Sequence, residues 1–364
     1  MTVLMMDSLA WPGNSKQFID SYINWSRYIL EGTGILGSLQ TLTFKNATPP
    51  RPGMWYAEMS SLEALFYRLP RVATDETLIV GGHINWERET ADDQLLYSLV
   101  QTEDTDDHQC FLRINKNTHT VSVVRGTTVL GTTTETLPDL EWLHVEWNIK
   151  VTNSTAAGEC ELFFDGVSVL DLVGVDTQNQ ATDTVEYIRV AGGIGAMHLR
   201  ASQFYVLDEL GTFANSPLGK NARIDVLYPD DNGTYNDYTG SDADQVDNFE
   251  MVNQVNADDT TEYIGSSVAG EKDSHNVEDI KGVIDSPGIM AVQVVGQYVK
   301  FDDPEPRAVK QILRHLAVDH FGAGHSLSVD TYQTIFDLHP EDPSDSTQWT
   351  LADVNALQVG CETI

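Results

Sequence analysis

An all-β fold, a sandwich of antiparallel sheets followed by a second and smaller β-rich domain, is what this 364-residue sequence predicts. Three observations predict it. Segments of period-two alternation recur along the chain, and short clusters of Gly, Asn and Asp separate them. Only two short segments favour a helix. A meander of this length must fold its sheets face to face to bury their apolar sides.

The elements follow in order. CFLRINKNTHTVSVVRGTTVLGTTTETL reads as strand, turn at Asn115–Asn117, strand, Arg125-Gly126 turn, strand. In LHVEWNIKV, Leu143, Val145, Trp147, Ile149 and Val151 alternate with His144, Glu146, Asn148 and Lys150, which predicts one apolar and one wet face. GECELFFDGVSVLDL is two strands about Asp165-Gly166, a pair that accepts the positive φ angles of a type I′ turn. YIRVAG and MHLRASQFYVLD add two more strands. The pattern then breaks at LGTFANSPLGKN, which places a first domain at 1–212, a linker at 213–222 and a second domain at 223–364. The acid-rich stretch after RIDVLYP carries Tyr228, Tyr235, Tyr238, Phe249 and Tyr263, so a long ordered loop packed by aromatics is expected. Strands resume in IMAVQVVGQYVKFD and SVDTYQTIFDLHP. Between them, RAVKQILRHLAVDH spaces Val309, Ile312, Leu313, Leu316 and Ala317 as a helix would. WTLADVNALQVG predicts a short helix with Thr350 as N-cap, Asp353 completing a capping box and Gly360 near its stop.

Composition narrows the partners. With 55 acidic against 21 basic residues the formal charge is −34, which repels phosphate and an anionic membrane surface alike. Two readings of that charge stand side by side: solubility by charge, or adaptation to seawater or brine. Hydrophobic residues at 41% supply ample core, so global disorder is not expected. Cys110, Cys160 and Cys361 form no metal-type pattern and read as buried free thiols. The N-terminus shows no secretory signal and no apolar run reaches spanning length, so synthesis in a cytoplasm and a soluble product are expected.

Few residue sets suggest chemistry. Glu141 and Glu146 bracket Trp142, but paired glycosidase carboxylates need a middle acid where Leu143 or His144 stands. His315, His320 and His325 lie five apart, a spacing that neither a helix nor a strand aligns; a surface or loop role is expected, with metal binding as the lesser alternative. Asp230, Asn232 and Asp237 offer hard oxygens around Gly233 and are weak calcium candidates, with a solvated turn as the commoner alternative. No cofactor is expected. Ala191–Gly195 opens no phosphate-gripping helix, and Trp11, Trp25, Trp55 and Trp86 suit a core better than a sugar platform.

The block LHVEWNIKV…CELFFDGVSVLDL resembles the laminin-G-like (LamG-like), concanavalin A-like jelly-roll signature. FLRINKNTHTVSVVRGTTVLGTT, FYVLDELGTFANSPLGKNARIDVLYPDDNGTYNDYT, DDTTEYIGSSVAGEKD and WTLADVNALQVG follow in the order seen in a family of tailed-virus structural proteins. Together they are similar to that family over nearly the whole chain, least over Trp11–Ala73. The resemblance implies a concanavalin A-like sandwich and a second β-domain in a virion component: capsid decoration, turret, or tail fibre, exposed on the particle. It implies other virion proteins as partners, a homo-oligomer such as a trimer, and a host-surface glycan as a ligand. Neither nucleic acid nor a membrane is an expected partner. It implies no catalytic residues, and the chain is expected not to be an enzyme. The alternative is a carbohydrate-binding receptor module; a polysaccharide depolymerase would need converging carboxylates. Two departures matter. MHLRASQ stands where relatives tend to show acidic residues, so no ligand role carries over there. The family also implies strands over Arg307–Val318, and tertiary context outweighs the local helical spacing.

Overall fold

The structure, a computed structural model, describes residues 3–7, 43–45, 56–59, 64–87, 93–102, 107–191, 199–210, 216–253, 261–280, 288–301, 307–330 and 332–364. The described residues fall into two compact units, the first ending at Ile224 and the second beginning at Asp225. Both are built of antiparallel strands.

In the first unit the front sheet runs Val167–Val175, Gly158–Phe164, Trp142–Lys150, Thr77–Trp86, Leu199–Asp208, Tyr56–Met59, Thr43–Lys45, and Val3–Asp7 also pairs with Leu199–Asp208. The back sheet runs Ala64–Thr74, Thr184–Ala191, Gln94–Val100, His108–Ile114, Thr120–Arg125, Thr128–Thr136. The alternation explains the packing. Val80, Gly82 and Ile84 stand opposite Trp147, Val145 and Leu143, so one face of both central strands is apolar and meets the back sheet. Phe204 of the front sheet stacks on Tyr67 of the back sheet at 4.7 Å between ring centroids. Its burial contributes roughly 1.5–3 kcal/mol. The Trp147 indole N–H reaches the Cys160 sulfur at 3.0 Å, and all three cysteines are buried and free. At the hairpin tip Asp165 and Gly166 take φ of 49° and 80°, as a type I′ turn requires.

The wet face expected for the Trp142–Lys150 strand is a point of correction. His144 and Glu146 are as buried as the core side. The backbone of Leu218 and Gly219 crosses this outer face and closes over Glu146.

The second unit has one six-stranded sheet, ordered Pro229–Asn236, Lys272–Val277, Gln358–Thr363, Ala308–His315, Val318–Phe321, with His325–Ser326 also on Ala308–His315. A separate ladder joins Val292–Tyr298 to Gln333–His339. Val277, Val294, Leu313, Trp349, Val354 and Leu357 form one core cluster of this unit, and Tyr238, Val309, Ile335 and Cys361 another. The contested segment is a strand, Ala308–His315, which turns back at Leu316 and Ala317 into Val318–Phe321. The helix Leu351–Val354 forms with the reciprocal Thr350–Asp353 capping box. The stretch expected as a long loop instead contains the strand Pro229–Asn236. Its polar side chains hide a ladder whose partner, Lys272–Val277, lies beyond local view.

Candidate functional site

Register across three front-sheet strands assembles the site. On the outer face Trp142, Asn85 and Arg200 form one row, and His144, His83 and Ser202 the next. Glu146, Gly81 and Tyr205 form the third. The third row depends on two local irregularities. A bulge at Gln203, with φ of 57°, resets the strand so that Phe204 points into the core and Tyr205 outward. Gly81 then lets the Tyr205 ring lie flat across its strand; a Cβ there would stand 2.3 Å from the ring carbon Cζ. The Tyr205 hydroxyl thereby donates to Glu146 Oε1, two strands away, at 2.5 Å, and lies 3.2 Å from His144 Nε2.

Glu146 is the hub. Besides the tyrosine, its carboxylate accepts the Leu218 N–H at 2.5 Å and the Gly219 N–H at 2.8 Å. Burial pushes its pKa above the ordinary carboxylate value, while these three donors pull it back. Burial and the neighbouring Glu146 charge raise Tyr205 well above the usual phenol. A second pin holds the same segment: the Gln203 amide bonds both the N–H and the C=O of Ile224. The chain from 216 to 224 is thus strapped over the polar floor.

The first row is more open. Trp142 and Arg200 are half-buried and Asn85 between them is buried; Asn85 Oδ1 accepts from Arg200 Nη1 at 2.8 Å, and Arg200 Nη2 lies 3.6 Å from Glu87. An aromatic face beside an amide and a guanidinium is the equipment that grips a sugar: stacking from one side and directed hydrogen bonds from the other. His144 and Tyr205 are a donor–acceptor pair of the kind acid–base chemistry uses. A reacting group would have to stand where Leu218 and Gly219 now run.

The residues singled out by sequence are distributed elsewhere. Glu141 is exposed ahead of the strand that buries Glu146, and the two do not converge. Trp86 is a core residue edge-on to His119, whereas Trp11, Trp25 and Trp55 lie outside the described residues, as do Gly192–Gly195. Asp230 and Asp237 are exposed. Asp237 accepts the Lys272 N–H, and the Asn232 side-chain oxygen accepts the Phe249 N–H. Gly233 sits inside a strand against Ser274 rather than in the expected turn, because only a residue without Cβ fits that approach. The surface role expected of His315 is corrected too: it is buried beside Asp342. Sequence reasoning missed Asn85, His83, Arg200 and Tyr205. The Gly-Gly-His-x-Asn run at 81–85 was the available signal.

No protein-family model and no curated protein sequence matches the chain. Solved structures do. The marine PL-14 alginate lyase from Aplysia kurodai is similar at 7% identity and a TM-score of 0.42, over 57% of this chain and 99% of that one. Alginate lyase Aly36B is similar at 9% and 0.33, over 43% and 81%. The carbohydrate-binding module CBM66 from Bacillus subtilis is similar at 9% and 0.26, over 46% and 88%. At these identities the likeness is one of fold, the β-sandwich. It corrects one expectation all the same. The sequence reading excludes an enzyme for want of paired carboxylates, yet lyases are among the similar structures, so that exclusion does not stand. The virion placement rests on the sequence resemblance alone.

Proposed function

We propose that this chain recognises a glycan on the outer face of the front sheet, with Trp142, Asn85 and Arg200 as the contact row. The carrying observation is the alignment of those three side chains across adjacent strands, with half-buried Trp142 and Arg200 flanking a buried Asn85 that holds the guanidinium. The charge of −34 repels a polyuronate by the same physics that repels nucleic acid, so the ligand class favoured is a neutral glycan. The FYVLD…LYP resemblance supports placing this activity on a virus particle, where the ligand is a host-surface sugar and copies of the chain form a symmetric oligomer.

Titration of neutral oligosaccharides into the full chain tests the reading. Trp142→Ala and Arg200→Ala should each weaken binding about tenfold or more, a loss of roughly 1.4 kcal/mol. Glycan length is followed in the same samples, which reports any cleavage directly. Absence of binding to every neutral glycan tried, or affinities indifferent to both substitutions, overturns it. Mass spectrometry of purified particles tests the virion placement separately.

A further inference from the structure

Two residues five apart on one strand face opposite sides, but His315 and His320 are separated by a turn. Leu316 and Ala317 form its corner, both at positive φ, and the ladder sets Leu313 opposite His320 and His315 opposite Val318. Opposed residues share a face, as do residues two apart on one strand. His320 is therefore the diagonal neighbour of His315 on the face that carries the buried Leu313. The hairpin achieves what the five-residue spacing alone forbids.

Two carboxylates converge on the same imidazole from later in the chain. Asp342 Oδ2 stands 3.0 Å from His315 Nδ1, and Asp353 Oδ1 stands 3.6 Å from Nε2. One ligand atom from each of the three residues lies within 4.8 Å of the others. Each carboxylate is held by its other oxygen: Asp342 Oδ1 accepts the Ser344 N–H, and Asp353 Oδ2 accepts the N–H and hydroxyl of Thr350 in the capping box. His320 Nε2 is buried and takes no hydrogen bond among the described residues, with Asp342 and His339 in electrostatic reach.

We propose that this cluster is a binding site for a divalent transition metal of the zinc type, unrelated to the glycan face. His315 Nε2 and Asp353 Oδ1 take the ion; His320, on the same face but outside the set whose ligand atoms lie within 4.8 Å, turns its Nε2 in as a second nitrogen when the ion binds. Asp342 orients His315 through Nδ1–H, as metal-bound histidines commonly require. Ligands about 2.0–2.2 Å from a tetrahedral zinc are about 3.3–3.6 Å apart, close to the Nε2–Oδ1 separation. Imidazole with carboxylate selects zinc, cobalt or nickel over calcium and magnesium. The competing arrangement is His315 hydrogen-bonded between two carboxylates with no metal.

The test is Zn²⁺ titration of the chelator-treated full chain in molar NaCl with excess Mg²⁺, which suppresses loose binding to an acidic surface. One site per chain is expected. His320→Ala and Asp353→Asn should each weaken it tenfold or more, and Asp230→Asn should not. Co²⁺ in place of zinc should give ligand-field absorption bands that His320→Ala alters, and circular dichroism of each variant confirms its fold. No Zn²⁺ binding in the micromolar range, or equal affinity in the wild type and both site variants, overturns the proposal and favours the metal-free arrangement.

Discussion

Asp273 and His275 show how two buried groups can hide each other. They stand two apart on the Lys272–Val277 strand, both buried, with Asp273 Oδ1 3.4 Å from His275 Nε2. Asp273 Oδ2 accepts from Asn248 at 2.7 Å and from the Tyr238 N–H at 3.2 Å. Burial raises the Asp273 pKa from 3.8 to about 6 and lowers that of His275 from 6.5 to about 4. Between pH 3.8 and about 6, folded Asp273 keeps a proton that the unfolded chain releases, so stability falls as pH rises. Between about 4 and 6.5, unfolded His275 carries a proton that the folded chain lacks, so stability rises with pH. Each contribution is on the order of 3 kcal/mol, and they oppose. The net contribution of this pair to wild-type stability should therefore be nearly flat from pH 4 to 6. Asp273→Asn should lose stability on acidification, and His275→Gln should gain it. Denaturant melts of the three proteins across this range check the signs; parallel profiles would refute both shifts.

At the scale of elements, the hairpin corner invites a substitution. Leu316 and Ala317 occupy left-handed φ of 49° and 64°, where a Cβ is disfavoured, and Leu316 is 71% exposed. Asn and Gly are the residues that a type I′ corner favours. Leu316→Asn with Ala317→Gly should raise the unfolding free energy by about 1–2 kcal/mol, read from a urea midpoint that shifts with unchanged slope. The same hairpin shows what local pattern conceals. Ile312 and Leu313 are both buried although they face opposite sides, so their spacing imitates a helix. The Trp142–Lys150 strand was legible from its alternation, but the burial of its second face was not. The Leu218 N–H that covers Glu146 comes from 72 residues away. Of the proposed glycan row, Trp142 lies in that legible strand. Asn85 and Arg200 join it through register between strands, which periodicity within one segment does not contain. Asp342 and Asp353 reach His315 for the same nonlocal reason.

At the scale of the molecule, charge decides how the chain responds to its medium. Cations present among the described residues are drawn into pairs, Arg71 with Glu76 and Asp208, Lys272 and Arg314 with Asp319, yet the net −34 remains however the pairs are made. That excess is a repulsion among like charges, which raising ionic strength from 0.01 M to 1 M screens by shortening the Debye length from about 30 Å to about 3 Å. Melting temperature should therefore climb over this range, and the symmetric oligomer proposed above should loosen as salt is lowered. Ligand binding carries the sharper form of the argument. A neutral glycan has no charge for the field to act on, so its affinity should be flat across the same salt series. A polyuronate meets the full repulsion at low salt, so its affinity should rise as salt is added, opposite to the fall seen when a cationic site binds a polyanion. Measuring both ligand classes across one salt series separates the cases: rising affinity for the acidic polymer with stronger binding than to any neutral glycan would move the ligand assignment from neutral sugars to uronates.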